Sequence, residues 1–147
     1  MKILVSAIAC NPYQGSENSV GWLAVRALAR DHEVWVLTGR RAEADLQRAR
    51  AEGLVPDRVH FVFAGQCAPW HPNRLRARLQ GWREYQAFSR AILPVARSLH
   101  AAEKFDLVHH VTYVTWRVAS PLGNWGSRLC SGRWAVTSNF PCGCSPC

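Results

Sequence analysis

Apolar runs and helical patterns alternate along most of the chain. Short runs rich in Val, Ile, Leu and aromatic residues predict four strands, over residues 2–9, 32–39, 58–65 and 105–114. Between them, apolar residues at helical spacing, or polar Ala-rich segments, predict helices over 19–30, 41–53 and 74–100. The order βαβαβ–loop–αβ predicts an α/β fold, a Rossmann-like doubly wound parallel sheet with right-handed crossovers.

The three predicted helices differ in their apolar faces. The apolar face of the first comprises Val20, Leu23, Ala24, Ala27 and Leu28. The second is polar and rich in Ala, and Gly53 is its predicted C-cap. The third contains Pro94, which should kink the helix or split it in two. Its apolar stripe comprises Leu75, Leu79, Trp82, Tyr85, Phe88, Ile92, Val95 and Leu99.

The stretch ACNPYQGSENSVGW, residues 9–22, joins the first strand to the first helix. Ligands of doubly wound sheets bind beyond the carboxyl ends of the strands, so this stretch and the segment after the fourth strand should share one rim. Pro12 should end the strand, and Gly15 would let the backbone approach a ligand closely. Glu17 could cap the helix or accept a sugar hydroxyl. An ordinary strand-to-helix turn is the alternative, and the spacing is not that of the dinucleotide motif G-x-G-x-x-G.

His109 and His110 lie near the end of the fourth predicted strand. Because side chains alternate along a strand, the two rings should point to opposite sides of the sheet. One could face the rim as a base or as a partner for a hydroxyl group. For each histidine, a core residue with a hydrogen-bonded ring is the alternative.

Two segments resemble a known family. MKILVSAIACNPYQGSENSVGWLAVRALARDHEVWVLT is similar to a block A-C-x-P-x-x-G-S-E-x-x-x-G-W, and FDLVHHVTYVTWRVASPL to a block H-H-V-T-Y-x-x-W-R. Both blocks occur, in this order, in one bacterial branch of the group 1 (family 4) glycosyltransferases. The resemblance covers residues 1–124 and is weakest over 40–100.

The resemblance implies the N-terminal, acceptor-side half of a GT-B fold, in which two Rossmann-like domains face each other across a cleft. The family is of the hexosyltransferase type, retains anomeric configuration, uses a nucleotide-sugar as donor substrate and needs neither a bound metal nor another cofactor. The acceptor would be a saccharide or a lipid-linked sugar used in polysaccharide biosynthesis. Near the transferring sugar, the resemblance implies catalytic positions at His109 and His110. The implied substrate-binding residues are Gly15, Ser16, Glu17, Tyr113 and Arg117.

Composition limits the alternatives. The 147 residues are 48% hydrophobic and 19% charged, which is typical of a globular chain. No apolar run approaches the roughly 20 residues of a membrane span. The apolar start lacks a small-residue cleavage site, so we expect a cytoplasmic chain. The net charge is +8, but no aromatic-basic nucleic-acid module is present, so no nucleic-acid partner is predicted.

The third predicted helix carries much of the positive charge. Over residues 74–97 an Arg-rich helix could rest on the anionic inner membrane as a peripheral contact and so reach a lipid-linked acceptor. A solvated Arg face over a buried apolar stripe is the alternative. The residues of this hypothesis are Arg74, Arg76, Arg78, Arg83, Arg90 and Arg97, with Trp70 and Trp82.

The resemblance ends after Leu122, and residues 125–147 form a Cys-rich tail that departs from the family. No Asp or Glu follows Asp106, and four of the six Cys fall in the last 18 residues. Among the codons that can encode this tail, some permit a glycine-rich pattern of the family in another reading frame, along with many other strings, and we hypothesise a frameshift near 123–126. The expected domain is therefore 1–124, with the donor-binding domain absent and no transferase activity from this chain alone.

A second function class uses the same tail. Cysteine thiolates at short spacing are zinc ligands, and the ending CGCSPC has such a spacing. On this hypothesis the chain is a non-catalytic α/β binding module whose tail holds a metal or a partner. No second Cys pair completes a tetrahedral site, so no metal ligand is predicted.

Overall fold

The computed structural model describes residues 1–65, 74–112 and 122, with the backbone alone over 74–79. The described part of the chain contains four strands, three α-helices and one 3₁₀ turn. In chain order they are β1 (Lys2–Ser6), α1 (Glu17–Leu28), β2 (Glu33–Gly39), the 3₁₀ turn (Arg40–Ala42), α2 (Glu43–Ala51), β3 (Val59–Ala64), α3 (Arg74–Glu103) and β4 (Leu107–His110).

The four strands form one parallel sheet in the order β3-β2-β1-β4. From β1 the chain steps outward through β2 to β3, and it then returns to the opposite side of β1 for β4. The strand order therefore reverses between β1 and β4, which is the place where ligands of such sheets bind. The predicted Rossmann-like doubly wound fold is confirmed.

Helices cover both faces of this sheet and divide its core into two layers. Ile3 and Val5 of β1 belong to a core that also contains residues of α1 and α2. Leu4 lies in a second core with Phe88 and Ile92 of α3. Alternating strand residues thus enter opposite layers, and fully burying such a side chain stabilises the fold by about 1.5–3 kcal/mol.

Helix α1 is rotated relative to its prediction. Of the predicted face, Val20 and Leu23 are 55% and 60% exposed, Ala27 is also exposed, and Ala24 and Leu28 are half-buried. The buried residues are Gly21, Trp22, Val25 and Ala29. The rotation follows from Gly21, since a position without a Cβ lets the helix pack closely on Ala9, just after β1, and brings the large Trp22 ring into the core.

Helix α3 agrees with its prediction more closely. Tyr85, Phe88 and Ile92 are buried, whereas Trp82, Val95 and Leu99 are half-buried. The predicted split at Pro94 is wrong, because α3 is a single helix from Arg74 to Glu103 with an exposed proline inside it. The side chains of Leu75 and Leu79 lie outside the described set.

The end of α2 confirms the predicted glycine cap. Gly53 has φ +71°, the left-handed conformation that glycine adopts without strain. Its N–H donates to Arg50 O at 3.1 Å, and the Leu54 N–H donates to Ala49 O at 2.9 Å. These two bonds form a Schellman motif, which satisfies carbonyl groups at the helix end.

Two strands are shorter in the structure than in the sequence prediction. β1 was predicted over 2–9 but ends at Ser6, and β4 begins at Leu107, two residues later than predicted.

Within the described part of the chain, no helix combines the length and apolar character of a membrane span.

Candidate functional site

The loop after β1 and the chain after β4 meet at the carboxyl edge of the sheet. The Ala9 N–H donates to Thr112 Oγ1 at 3.1 Å, and the Val111 N–H donates to Ser6 O at 3.0 Å. Thr112 is 1% exposed, so its hydroxyl is an interior contact between two segments about 100 residues apart. The prediction that the two segments share one rim is confirmed.

Gly21 packs against the same junction. A Cβ at this position would lie 2.1 Å from Ala9 O and 3.1 Å from Thr112 Cγ2. No side chain fits against a backbone oxygen at that distance. Gly21 is therefore required for the close packing of α1 on the rim.

Gly15 has no such requirement within the protein. It is exposed, a Cβ there would meet no atom within 4 Å, and its φ is not positive. The adjacent Ser16 carries the unusual backbone instead, with φ 58° and ψ −131°. A non-glycine residue in a sparsely populated region costs about 1–3 kcal/mol and is often found at functional sites.

Ser16 also does not act as an ordinary helix cap. It is the N-cap residue of α1, yet its side chain makes no capping hydrogen bond. Its carbonyl accepts the Val20 N–H at 3.3 Å, and the exposed Glu17 follows as the first helical residue. A negative charge in the first helical turn is favourable because the helix N-terminus is partly positive.

Asn11 holds the loop to helix α2. The side chain is 1% exposed; its Nδ2 donates to Asp45 Oδ2 at 2.6 Å, and its Oδ1 accepts the Tyr13 N–H at 2.9 Å. The same Asp45 oxygen accepts a longer hydrogen bond from Gln14 Nε2, at 3.4 Å. One carboxylate therefore fixes two positions of the loop.

Tyr13 makes a second connection to α2. Its hydroxyl donates to the Glu52 carboxylate, and the Arg48 guanidinium lies 4.6 Å from the centre of its ring. The bond to Glu52 raises the pKa of Tyr13, and the same bond, with a further one from Arg48, lowers the pKa of Glu52. Sequence reasoning missed these contacts, because nothing in the polar pattern of α2 indicates which of its charges faces the loop.

A cleft of about 210 Å³ opens beside the loop, at the carboxyl ends of β1, β2 and β3. Arg41 Nη2 donates to Glu84 Oε1 across it at 2.8 Å, and Gln80 Nε2 donates to the same oxygen at 3.2 Å. Other polar lining residues are Asn11, Gln14, Asn18 and Arg40. Of the predicted site residues that the structure describes, Gly15, Ser16, Glu17, His109 and His110, none lines this cleft.

The two histidines occupy opposite faces of the sheet, as predicted. His109 pairs with Val5 and His110 with Ser6 in the register of β1 and β4. The His110 ring lies 6.4 Å from the Tyr85 ring of α3, whereas Val5 belongs to the core under α1 and α2. The structure thus places the two imidazoles in different layers close to the rim.

Burial favours the neutral form of both imidazoles. Burial lowers the pKa of His109; burial, with a smaller contribution from His109, lowers the pKa of His110 to about 4. The Nδ1 atom of His110 is buried without a hydrogen-bond partner among the described residues. A neutral ring can both donate and accept a hydrogen bond, so each imidazole can orient a hydroxyl group on its own side of the sheet.

The described residues contain no group of three or more Cys, His, Asp and Glu that could hold a metal ion. Cys10 is fully buried, and burial raises its pKa to about 12, so it carries no thiolate at neutral pH. Tyr113, Arg117 and the tail 125–147 lie outside the described residues.

The fold and the rim define an α/β protein with a Rossmann-like parallel sheet and a switch point between β1 and β4. Comparisons of the chain with protein-family models, with curated proteins and with solved structures find no match. The function must therefore be argued from the site itself.

Proposed function

We propose that the chain is the acceptor-side domain of a glycosyltransferase of the GT-B type, which transfers a sugar from a nucleotide-sugar to a saccharide or lipid-linked acceptor. One observation carries the proposal: the hydrogen bond from Ala9 to Thr112. It joins the two sequence blocks that resemble group 1 glycosyltransferases, at the edge of the sheet where doubly wound folds bind ligands.

The roles follow from position and charge. Gly15, Ser16 and Glu17 present an exposed helix start with N–H groups and one carboxylate to the acceptor or the donor diphosphate. His109 and His110 act as neutral imidazoles that orient sugar hydroxyls beside the transferring sugar. Tyr113 and Arg117 complete the proposed substrate contacts. No cofactor is required, since the nucleotide-sugar is itself a substrate.

The proposal is tested by NMR on the ¹⁵N-labelled chain, residues 1–147, titrated with neutral saccharides and nucleotide-sugars. We expect a saccharide to shift the amide signals of Gly15, Ser16 and His109. The His110→Gln variant should weaken this response, while the matched control His60→Gln, with its side chain 43% exposed next to Glu33, should not. Unchanged spectra with every saccharide, together with stoichiometric zinc in the purified protein, would favour the binding-module alternative instead.

The proposed lipid-linked acceptor is supported by the outer face of α3. Arg83, Arg90 and Arg97 are exposed and spaced by seven residues, which places them about 10 Å apart along the helix axis. Because the apolar stripe of α3 is used in the core, contact with an anionic membrane would be electrostatic there. Binding to anionic vesicles should therefore disappear at high salt; no sedimentation with vesicles at low salt would exclude this partner.

A further inference from the structure

The cleft beside the loop is lined by several Gly and Ala residues and by arginine, amide and carboxylate groups. Its small lining residues are Ala9, Gly39, Ala42, Ala64 and Gly65, on or just after the strand ends, and Gly81 of α3; the larger Ile8 and Phe88 also line it. Such walls let a ligand approach the backbone closely. The volume of about 210 Å³ lies below the roughly 300–1,000 Å³ of sites for drug-sized molecules. The cleft therefore suits a ligand about the size of a monosaccharide.

Two carboxylates are already engaged by the protein: Glu84, which lines the cleft, and Asp45, which holds two lining residues in place. Glu84 Oε1 accepts hydrogen bonds from Arg41 and Gln80, and Asp45 Oδ2 accepts hydrogen bonds from Asn11 and Gln14. The negative charges are thus each matched by donors of the protein, and they hold the walls of the cleft in place.

Arg40 differs from Arg41 in its pairing. It follows Gly39 at the end of β2 and pairs with Glu43 at 3.5 Å, with its side chain 58% exposed. An exposed ion pair at that distance is weak. A guanidinium carries five N–H donors, so most of the donor capacity of Arg40 is available to a ligand. Arginine binds the oxygens of phosphate and carboxylate groups with two parallel hydrogen bonds.

We propose that this cleft binds a sugar phosphate of monosaccharide size, with Arg40 on the phosphate and Gln14 and Asn18 on the sugar hydroxyls. The inference rests on the proposed function and narrows the class of acceptor, because the acceptor would carry a phosphate group. The site is separate from the histidines, since its walls come from β1, β2 and β3 and from α3.

The inference is tested by calorimetric titration of the 147-residue chain with a hexose 6-phosphate, the same hexose without phosphate, and inorganic phosphate. We expect the hexose phosphate to bind most tightly. Arg40→Ala should weaken that binding about tenfold, as expected for the loss of a charged hydrogen bond. The matched control is Arg26→Ala, which removes an exposed arginine of α1 outside the cleft and should leave the affinity unchanged.

The outcomes separate this inference from the proposed function. If the hexose binds as tightly as its phosphate, or if Arg40→Ala and Arg26→Ala bind equally, the inference is wrong while a neutral acceptor remains compatible with the transferase proposal. If inorganic phosphate binds as tightly as the hexose phosphate, the saccharide part is wrong. If no probe binds, the cleft is not a ligand site, and the NMR response of Ser16 and His109 to neutral saccharides decides the proposed function by itself.

Discussion

The carboxyl edge of the sheet has two sides, which meet at β1 and differ in polarity. Toward β2 and β3 the edge forms a cleft lined by arginine, amide and carboxylate groups. Toward β4 it is drier, with the buried Thr112 and two histidines whose pKa values are lowered by burial. One side therefore offers charge, and the other offers neutral hydrogen-bonding groups in a less hydrated setting.

This difference has a structural cause. The β2 side is followed by the 3₁₀ turn and the polar helix α2, whose Asp45 reaches the loop. The β4 side is closed by contacts between backbone segments, through Ala9, Gly21 and Thr112. The first side depends on side chains that can rearrange, whereas the second depends on close backbone packing. Substitutions should accordingly cost the most stability on the β4 side.

The largest loss is expected for Gly21→Ala. The new Cβ would lie 2.1 Å from Ala9 O, so α1 must move away from the rim, and we expect a destabilisation of about 3 kcal/mol or more. Gly15→Ala is the matched control. Its Cβ meets open space, so its free energy of unfolding should stay within about 0.5 kcal/mol of the wild type or rise slightly. Urea denaturation measures both; equal losses would show that α1 does not pack through Gly21.

The second prediction concerns pH. The pKa of His110 is about 4 in the folded chain because of burial, below the value of about 6.5 in an unfolded chain. Between these values the unfolded state binds more protons, so the free energy of unfolding should fall as pH decreases from about 6.5 to 4, by at most about 3 kcal/mol. His110→Gln should remove this part of the pH dependence.

The control for that measurement is His60→Gln. This variant removes a histidine whose side chain is 43% exposed, so a change of slope seen only in His110→Gln assigns the pH dependence to the buried ring. Urea denaturation at several pH values gives the slopes. If His110→Gln and the wild type have the same slope, His110 is not buried as a neutral ring.

A smaller loss is expected for Thr112→Val. The substitution keeps the shape of the side chain but removes the acceptor of the Ala9 N–H. Leaving a buried donor unsatisfied costs about 1–3 kcal/mol. Thr112→Ser keeps the hydroxyl and should retain more of the stability than Thr112→Val does. If the two variants unfold at the same urea concentration, the hydrogen bond does not stabilise the junction.

The element order was predictable because each strand is a short apolar run between helical segments. The rotation of α1 was not, since the pattern weights Val20 and Leu23 as core residues, whereas the packing is decided by the absence of a side chain at Gly21. A hydrophobic pattern records which residues prefer burial, but it does not record where a helix can approach another backbone.

The position of the candidate site at the edge of the sheet was predictable, but the residues that form the cleft beside it were not. The rule for doubly wound sheets correctly brings the loop after β1 and the end of β4 to one edge. The cleft beside it depends on contacts between Asp45 and Asn11 and between Arg41 and Glu84, which are 34 and 43 residues apart. Such pairs are set by the tertiary structure, and single charged residues in a polar helix give no sign of them.

The smallest expected effect concerns backbone strain at Ser16. It tests whether the strained conformation contributes to ligand binding or only closes a turn. Ser16 and Lys104 both have positive φ, 58° and 55°, but Ser16 lies at the rim and Lys104 follows α3 at the opposite, amino end of the sheet. Glycine relieves strain of this kind, although its greater freedom in the unfolded chain offsets part of the gain. Ser16→Gly and Lys104→Gly should each raise the free energy of unfolding by about 0.5–1 kcal/mol, the strain relieved less the entropic cost of glycine.

The two variants should differ in ligand binding. If the backbone of Ser16 is held in this conformation to present the start of α1 to a saccharide, Ser16→Gly loosens that arrangement and should weaken the NMR-detected binding several-fold. Lys104→Gly should bind as the wild type does, because its strain lies away from the rim. Equal affinities for both variants would mean that the conformation of Ser16 belongs to the turn alone. In that case the loop after β1 would not be preorganised for a ligand. The two sides of the carboxyl edge would then be connected by the packing of Gly21 against Ala9.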